Sequence, residues 1–153
     1  KTPIHLAVEQ NNIEVVKLLI SSNNLDINKK KKDFSIIKPD QKKKRHAYLY
    51  KHSQDNEKTA FFTAVKKNYT EMVELLLTVQ NIDINSKCKV RKDNEITALH
   101  CAVKNHNKKI IELLMKDKRV DYDSIDTKGR HPIEYTKNEE IKEFIKSLEL
   151  PNT

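Results

Sequence analysis

The sequence predicts an all-α repeat solenoid, and a recurring block carries that prediction. A block of 27 residues occurs three times without a gap, starting at Thr2, Thr59 and Thr97, and a shorter, degenerate copy starts at His131. Units of equal length that recur in this way are typical of stacked repeats, in which each unit packs against its neighbours. We therefore expect a single domain with an insertion after the first repeat. The repeats span about 1–28, 59–85, 97–123 and 131–150, and the insertion spans 29–58.

Each block is predicted to form two short helices joined by a turn. In the first block, Thr2 is expected to accept a hydrogen bond from a free amide of the opening turn, and Pro3 suits the first helical position, where no donor is needed. The chain then turns at Asn11 and Asn12. The second helix is more apolar than a surface helix, so we expect neighbouring helices to cover both of its flanks. Its apolar residues are Val15, Val16, Leu18, Leu19 and Ile20.

The last copy is patterned as a carboxy-terminal cap. Its apolar residues fall at helical spacing and are expected to face back into the stack: Ile141, Phe144, Ile145 and Leu148. Charged residues occupy the other side, as a capping repeat requires for solubility. They are Lys137, Glu139, Glu140, Lys142, Glu143 and Lys146. The sequence opens at a repeat start without a comparable cap, so we expect the repeats to belong to a longer array.

Three short motifs recur in register and identify the family that the blocks resemble. They are TPIHLA and TALHCA at Thr2 and Thr97, an apolar run at Val15–Ile20, Met72–Leu77 and Ile110–Met115, and DIN at Asp26 and Asp83. Together these motifs resemble the ankyrin repeat, and the resemblance covers nearly the whole chain. It implies helix-turn-helix units that are joined by hairpin-like loops.

The turn between the two helices departs from the family pattern. The family has a glycine there, whereas this chain has Asn11, Asn68 and His106. Asparagine tolerates the left-handed backbone conformation well and histidine less well. We therefore expect slight strain near His106 and no change of fold.

The histidines are predicted to be structural. The resemblance implies that His5 and His100, at the motif position, tie loop backbone together by hydrogen bonds, whereas Phe62 and Glu134 replace this histidine in the other copies. No pair of histidines has the i, i+4 spacing with an intervening acid that a helical zinc site uses. We expect no metal and no cofactor, with only a small reserve for Cys88 as a ligand.

Composition argues against an enzyme. The chain has one glycine, Gly129, whereas phosphate-cradling loops and dinucleotide turns need several. It has no nucleophile elbow and no convergent catalytic constellation. It has no apolar run of about twenty residues, so we expect no membrane span. Cys88 and Cys101 make neither a metal pair nor a disulfide framework, which favours free thiols in the cytoplasm, with the nucleus as the alternative.

Positive charge is concentrated in the insertion. Residues 29–58 hold eleven Lys or Arg against four Asp or Glu, a net charge of +7 in a chain of net charge +8. The resemblance implies protein binding through the hairpin tips and the ends of the first helices, so this charge points to a partner protein with an acidic surface. The candidate contacts are Lys29, Lys30, Lys31, Lys32, Lys42, Lys43, Lys44, Arg45, Tyr48, Tyr50, Lys66, Lys67, Lys87, Lys89, Arg91, Lys92 and Lys104.

Two other functions remain open from the sequence. Lysine runs beside Tyr48 and Tyr50 suit nucleic acid or another anionic surface, although 26 lysines against four arginines disfavour bidentate phosphate recognition. The chain could instead be an architectural segment of a larger assembly, such as a cytoskeletal one.

The insertion itself is predicted to form an elongated β-finger. Residues 34–38 and 45–51 are rich in β-branched and aromatic residues, and Pro39–Gln41 between them is a turn signal. A disordered loop is the alternative, because the lysine content permits it.

Overall fold

The computed structural model describes residues 1–22, 24–30, 58–91 and 93–149. Within these ranges the chain forms seven α-helices, a 3-10 helix and a two-stranded antiparallel sheet, which confirms the predicted helical solenoid. The helices are α1 (Pro3–Glu9), α2 (Ile13–Ser21), α3 (Ala60–Lys66), α4 (Thr70–Leu77), α5 (Ala98–Lys104), α6 (Lys108–Lys116) and α7 (Glu139–Glu149). The strands are β1 (Cys88–Arg91) and β2 (Asn94–Ile96), and the 3-10 helix is Pro132–Tyr135.

The helices stack in two rows. In the first row α1 packs on α3, α3 packs on α5, and α5 packs on the 3-10 helix. In the second row α4 packs on α6 and α6 packs on α7. The core lies between the rows, where Val8, Phe61, Val65, Leu76 and Ile110 are almost fully buried. Each repeat therefore completes the core of its neighbours, as in other solenoids.

The start of α1 differs from the prediction in the hydrogen bond that Thr2 makes. Pro3 does occupy the first turn of α1, but Thr2 makes no side-chain bond to an amide of that turn. Its hydroxyl lies 2.6 Å from Nδ1 of His5 instead. In the second repeat, where Phe62 replaces the histidine, the Thr59 hydroxyl accepts from the Phe62 amide at 3.1 Å. In the first and third repeats the threonine hydroxyl therefore pairs with the histidine ring.

All three inter-helix turns use the left-handed conformation. The φ angles are 53° at Asn11, 59° at Asn68 and 55° at His106. The next residue caps the second helix in two repeats, since Asn12 and Asn107 each accept from the amide three residues on at 3.1 Å. These short turns hold the two helices of each repeat antiparallel.

Helix α2 is less buried than predicted. Only Val16 of this helix is buried, while Leu18 is 71% exposed and Val15 is 39% exposed. The reason is positional, because no described element packs on the flank of α2 that faces away from the second repeat. The prediction of cover on both flanks is therefore wrong for this helix.

The last repeat has the expected cap but a shortened first helix. Ile141 and Ile145 are 2% and 3% exposed, and Phe144 and Leu148 pack partly against the core. The first helix of this repeat is a single 3-10 turn. The predicted β-finger falls at residues 34–51, which lie outside the described residues, so it stays a prediction.

Candidate functional site: a basic groove between helix ends and hairpins

A groove with a cavity of about 550 Å³ runs between the first helices and the hairpins. Lys66 and Lys104, the last residues of α3 and α5, come from the helix side. Arg91, which ends β1, and Lys128, in the turn before the 3-10 helix, come from the hairpin side. We call these four residues the groove cations and the cavity that they line the basic groove.

Backbone turns hold the hairpin side in place. β1 and β2 pair antiparallel, with Cys88 opposite Ile96 and a register irregularity before Arg91. The turn that carries Lys128 contains Gly129 at a φ of 76°, a conformation that glycine adopts without strain. Its amide donates to the carbonyl of Asp126 at 3.1 Å. Arg91 therefore lies at the end of β1, and Lys128 lies in the turn before the 3-10 helix.

The groove cations have no ion-pair partner among the described residues, whereas many other lysines do. Five lysines of the second helices and α7 pair with a nearby glutamate: Lys17, Lys108, Lys116, Lys142 and Lys146. Asp93 and Glu134 also line the groove. The carboxylate of Glu134 accepts from the amide of His131 at 2.5 Å and keeps its negative charge. The four groove cations outnumber these two carboxylates, so the groove stays net positive.

A buried aspartate fixes the carboxy-terminal end of the groove. The side chain of Asp126 is fully buried, and its Oδ2 accepts from Arg130 Nε at 2.9 Å and from the Tyr135 hydroxyl at 2.5 Å. Burial alone would raise the pKa of Asp126, but these bonds and two backbone amides hold it well below its usual range. The Arg130 guanidinium lies 4.7 Å from the centre of the Tyr135 ring. This end of the groove is therefore rigid, and Arg130 is neutralised by Asp126.

Tyr135 links that cluster to β2. Its hydroxyl accepts from Asn94 Nδ2 at 3.0 Å, and Asn94 is only 9% exposed at the start of β2. Burial and the bond to Asp126 raise the pKa of Tyr135, so the phenol stays protonated at neutral pH. The aromatic ring thus forms a fixed wall of the groove.

Histidines join the first and third repeats to the segments that follow them, as the resemblance implied. Nε2 of His5 lies 3.1 Å from the carbonyl of Lys58, and Nε2 of His100 lies 3.0 Å from the carbonyl of Arg130. Nδ1 of His100 accepts from the Thr97 amide, so the ring is neutral with its proton on Nε2. Burial lowers the pKa of His100, which favours this neutral form. His5 thereby fixes the residue that ends the insertion.

The predicted contacts fall into four groups. Lys66, Arg91 and Lys104 line the basic groove. Lys29, Lys87 and Lys89 lie at or near the surface of the connectors without lining the cavity. The remaining candidates, apart from Lys30 and Lys67, lie outside the described residues. They are Lys31, Lys32, Lys42, Lys43, Lys44, Arg45, Tyr48, Tyr50 and Lys92.

Lys30 and Lys67 bond to protein carbonyls. Lys30 Nζ donates to the Lys87 carbonyl at 2.7 Å, which links the start of the insertion to the second connector. Lys67 Nζ donates to the Glu9 carbonyl at 3.3 Å and lies 5.7 Å from the centre of the Tyr69 ring. Both lysines therefore join neighbouring repeats.

Sequence reasoning missed three residues that shape the groove: Lys128, Arg130 and Tyr135. The resemblance implies contacts at the loops between repeats, and Lys128 lies in the loop before the last repeat, so its place in the chain could have identified it. No comparable signal marks Tyr135, because its place in the groove depends on the 3-10 turn that replaces a helix.

The thiols and the acids offer no reactive centre in the part of the chain that is described. Cys88 and Cys101 are free and buried, and burial raises the pKa of both thiols, that of Cys101 to about 11. A thiol in that state is a poor nucleophile. No cluster of three His, Cys, Asp or Glu side chains within the described ranges could hold a metal ion. Among the same residues, no helix is long and apolar enough to cross a membrane.

The stacked helix pairs, the hairpin and the cap define a helical repeat solenoid. A family model described as Ankyrin repeats (3 copies) matches residues 42–126 and 64–146, and one described as Ankyrin repeat matches residues 1–32. The chain therefore belongs to the ankyrin repeat family. A search of curated proteins returned no match. Ankyrin repeats generally mediate protein–protein interaction, and proteins built from them are generally non-enzymatic scaffolds.

Proposed function

We propose that this ankyrin stack is a non-enzymatic scaffold or adaptor that binds an acidic surface of another protein through the basic groove. The observation that carries the proposal is the row of groove cations, which lack ion-pair partners among the described residues while lysines of the second helices are paired. Uncompensated charge in a concave site raises the local concentration of an oppositely charged partner and aligns it on docking.

The insertion is proposed to extend this surface. Residues 29–58 carry a net charge of +7. The start of the insertion is tied to the second connector through Lys30 and Lys87, and its end is tied to α1 through Lys58 and His5. The start of the insertion therefore lies beside the second connector, one of the loops where ankyrin proteins present contacts.

The proposed place of action is the cytoplasm, with the nucleus as the alternative. Two buried, unpaired thiols suit a reducing compartment, where disulfides rarely persist. The alternative ligand is nucleic acid, which the binding experiment also tests.

A charge-reversal experiment tests the proposal. The double variant Lys66→Glu/Lys104→Glu removes two groove cations, and Lys109→Glu/Lys118→Glu makes the same change of net charge at exposed positions outside the groove. We expect the first variant to bind a fluorescent peptide rich in Asp and Glu about 5- to 20-fold more weakly than wild type, and the control within about twofold. Fluorescence anisotropy at low and physiological salt measures both affinities.

Further arms of the same experiment separate the alternatives. Replacing residues 31–57 with a short Gly-Ser linker keeps Lys30 and Lys58, and we expect weaker peptide binding. Unchanged binding would limit the site to the groove. Equal losses for the two charge-reversed variants would contradict a groove site. Tighter binding to a mixed-sequence oligonucleotide than to the acidic peptide, with a steep salt dependence, would favour the nucleic-acid alternative.

A further inference from the structure

Two of the groove cations repeat with the period of the stack. Lys66 and Lys104 hold the same position of the repeat, seven residues after Thr59 and Thr97. Arg91 and Lys128 come from the following connectors and do not hold equivalent positions. In the first repeat the position of Lys66 and Lys104 is Glu9, which pairs with Lys1 at 3.2 Å. Lys66 and Lys104 therefore place two positive charges one repeat apart along the groove.

The length of this one-repeat step restricts the conformation of a ligand. α3 packs directly on α5, and packed helices have axes about 8–10 Å apart. In a polyproline II helix every third residue lies on the same face, about 9.3 Å further along. Same-face residues of a β-strand are about 6.7 Å apart, and those on successive turns of an α-helix are about 5–6 Å apart. Of these three conformations, only polyproline II repeats the same face at a distance that matches the about 8–10 Å between packed helices. An α-helical ligand matches the step only with acids seven residues apart, which lie about 10.5 Å apart along the helix axis.

The lining suits the other residues of a polyproline II segment. Tyr135 is held by its hydroxyl bonds and stacked with Arg130, and the partly buried Val90 lies in the same cavity. Ile96 and Cys101 line the groove as buried apolar residues. Polyproline II ligands typically dock proline and apolar residues on fixed aromatic rings.

We propose that the basic groove binds a polyproline II segment of the partner that carries two acidic residues three positions apart. The pattern is Asp/Glu-x-x-Asp/Glu, with proline or an apolar residue between the acids. The acids meet the cations of successive repeats, and the residues between them pack on Tyr135 and Val90. This inference rests on the proposed function and adds the spacing and conformation of the ligand.

Peptides of one composition test the spacing. The probe EPPEPPE carries its acids three residues apart, while EEPPPPE and EPEPEPP contain the same three glutamates and four prolines at other spacings. We expect EPPEPPE to bind at least about threefold more tightly than either control, since each exposed charge pair contributes modestly. The preference should vanish in Lys66→Glu/Lys104→Glu and persist in Lys109→Glu/Lys118→Glu.

Each other outcome overturns a defined part of the inference. Equal affinity for the three peptides would overturn the spacing and leave an acidic partner standing. Tighter binding of a helical peptide with acids seven residues apart would overturn the polyproline II conformation. If wild type binds no acidic peptide at low salt, both the spacing and the proposed function fail. A Tyr135→Ala variant with unchanged preference for EPPEPPE would overturn the aromatic contact.

Discussion

His100 joins the third repeat to the loop that follows it through both ring nitrogens. The ring is fully buried, Nδ1 accepts from the Thr97 amide, and Nε2 donates to the Arg130 carbonyl. Burial lowers the pKa of His100 from 6.5, so the neutral ring is the form that stabilises the fold. That stabilisation is complete above about pH 6.5 and is lost as the pH falls through the folded-state pKa. We expect the free energy of unfolding to decrease below pH 6.5.

Urea titrations between pH 7.5 and pH 5 measure this dependence. The variant His100→Gln should cost about 1–3 kcal/mol at pH 7.5, because it disrupts buried hydrogen bonds. It should also lose less stability than wild type on acidification, since the titrating group is gone. Parallel pH profiles for wild type and His100→Gln would assign the acid sensitivity to other groups.

At the scale of elements, the end of α4 is held by an arginine from the next repeat. Arg119 donates to the carbonyls of Leu77 at 2.7 Å and Val79 at 2.8 Å. Asp117 holds the guanidinium in place through Nε at 2.9 Å. The planar fork reaches several acceptors at once, which a lysine ammonium on a flexible stem cannot do. We expect Arg119→Lys to lower the free energy of unfolding by about 1–2 kcal/mol although the charge is kept.

Chemical denaturation and hydrogen exchange check this prediction together. Amides in the last turn of α4 should exchange faster in Arg119→Lys, while those of α2 should be unchanged. Lys118→Ala, one residue away and exposed, serves as the control and should change stability by less than about 0.5 kcal/mol. Wild-type stability in Arg119→Lys would show that the bonds to the carbonyls contribute little.

The sequence predicts elements better than it predicts their contacts. Helix pairs, left-handed turns and the capping helix follow from local signals, which act over a few residues, and the structure has them. The bond between Thr2 and His5 did not follow, because a threonine hydroxyl can either accept from a backbone amide or pair with a ring nitrogen, and the local sequence allows both. Lys66 and Lys104 were predictable as helix ends. Tyr135 was not, since its position depends on packing across a shortened helix.

Across the whole molecule, equivalent positions of the repeat differ in burial because of their place in the stack. Val15, Met72 and Ile110 occupy the same position of the second helix. Met72 and Ile110 are fully buried, whereas Val15 is 39% exposed. Ile110 lies on α6, which packs on α4 of the preceding repeat, whereas no described helix precedes α2 in its row. A pattern in one repeat therefore cannot reveal how much of it is buried.

This difference in burial predicts that shortening these side chains to alanine destabilises the protein to different degrees. Met72→Ala and Ile110→Ala should each lower the free energy of unfolding by about 2–5 kcal/mol, because they leave cavities in a close-packed core. Val15→Ala should cost less than about 1 kcal/mol, since solvent already reaches the side chain. Val73→Ala is the matched control, because it removes the same atoms at a fully buried position. It should lower the free energy of unfolding more than Val15→Ala. Equal losses for the two valine variants, measured by urea denaturation of the same chain, would mean that the face of α2 is covered in solution.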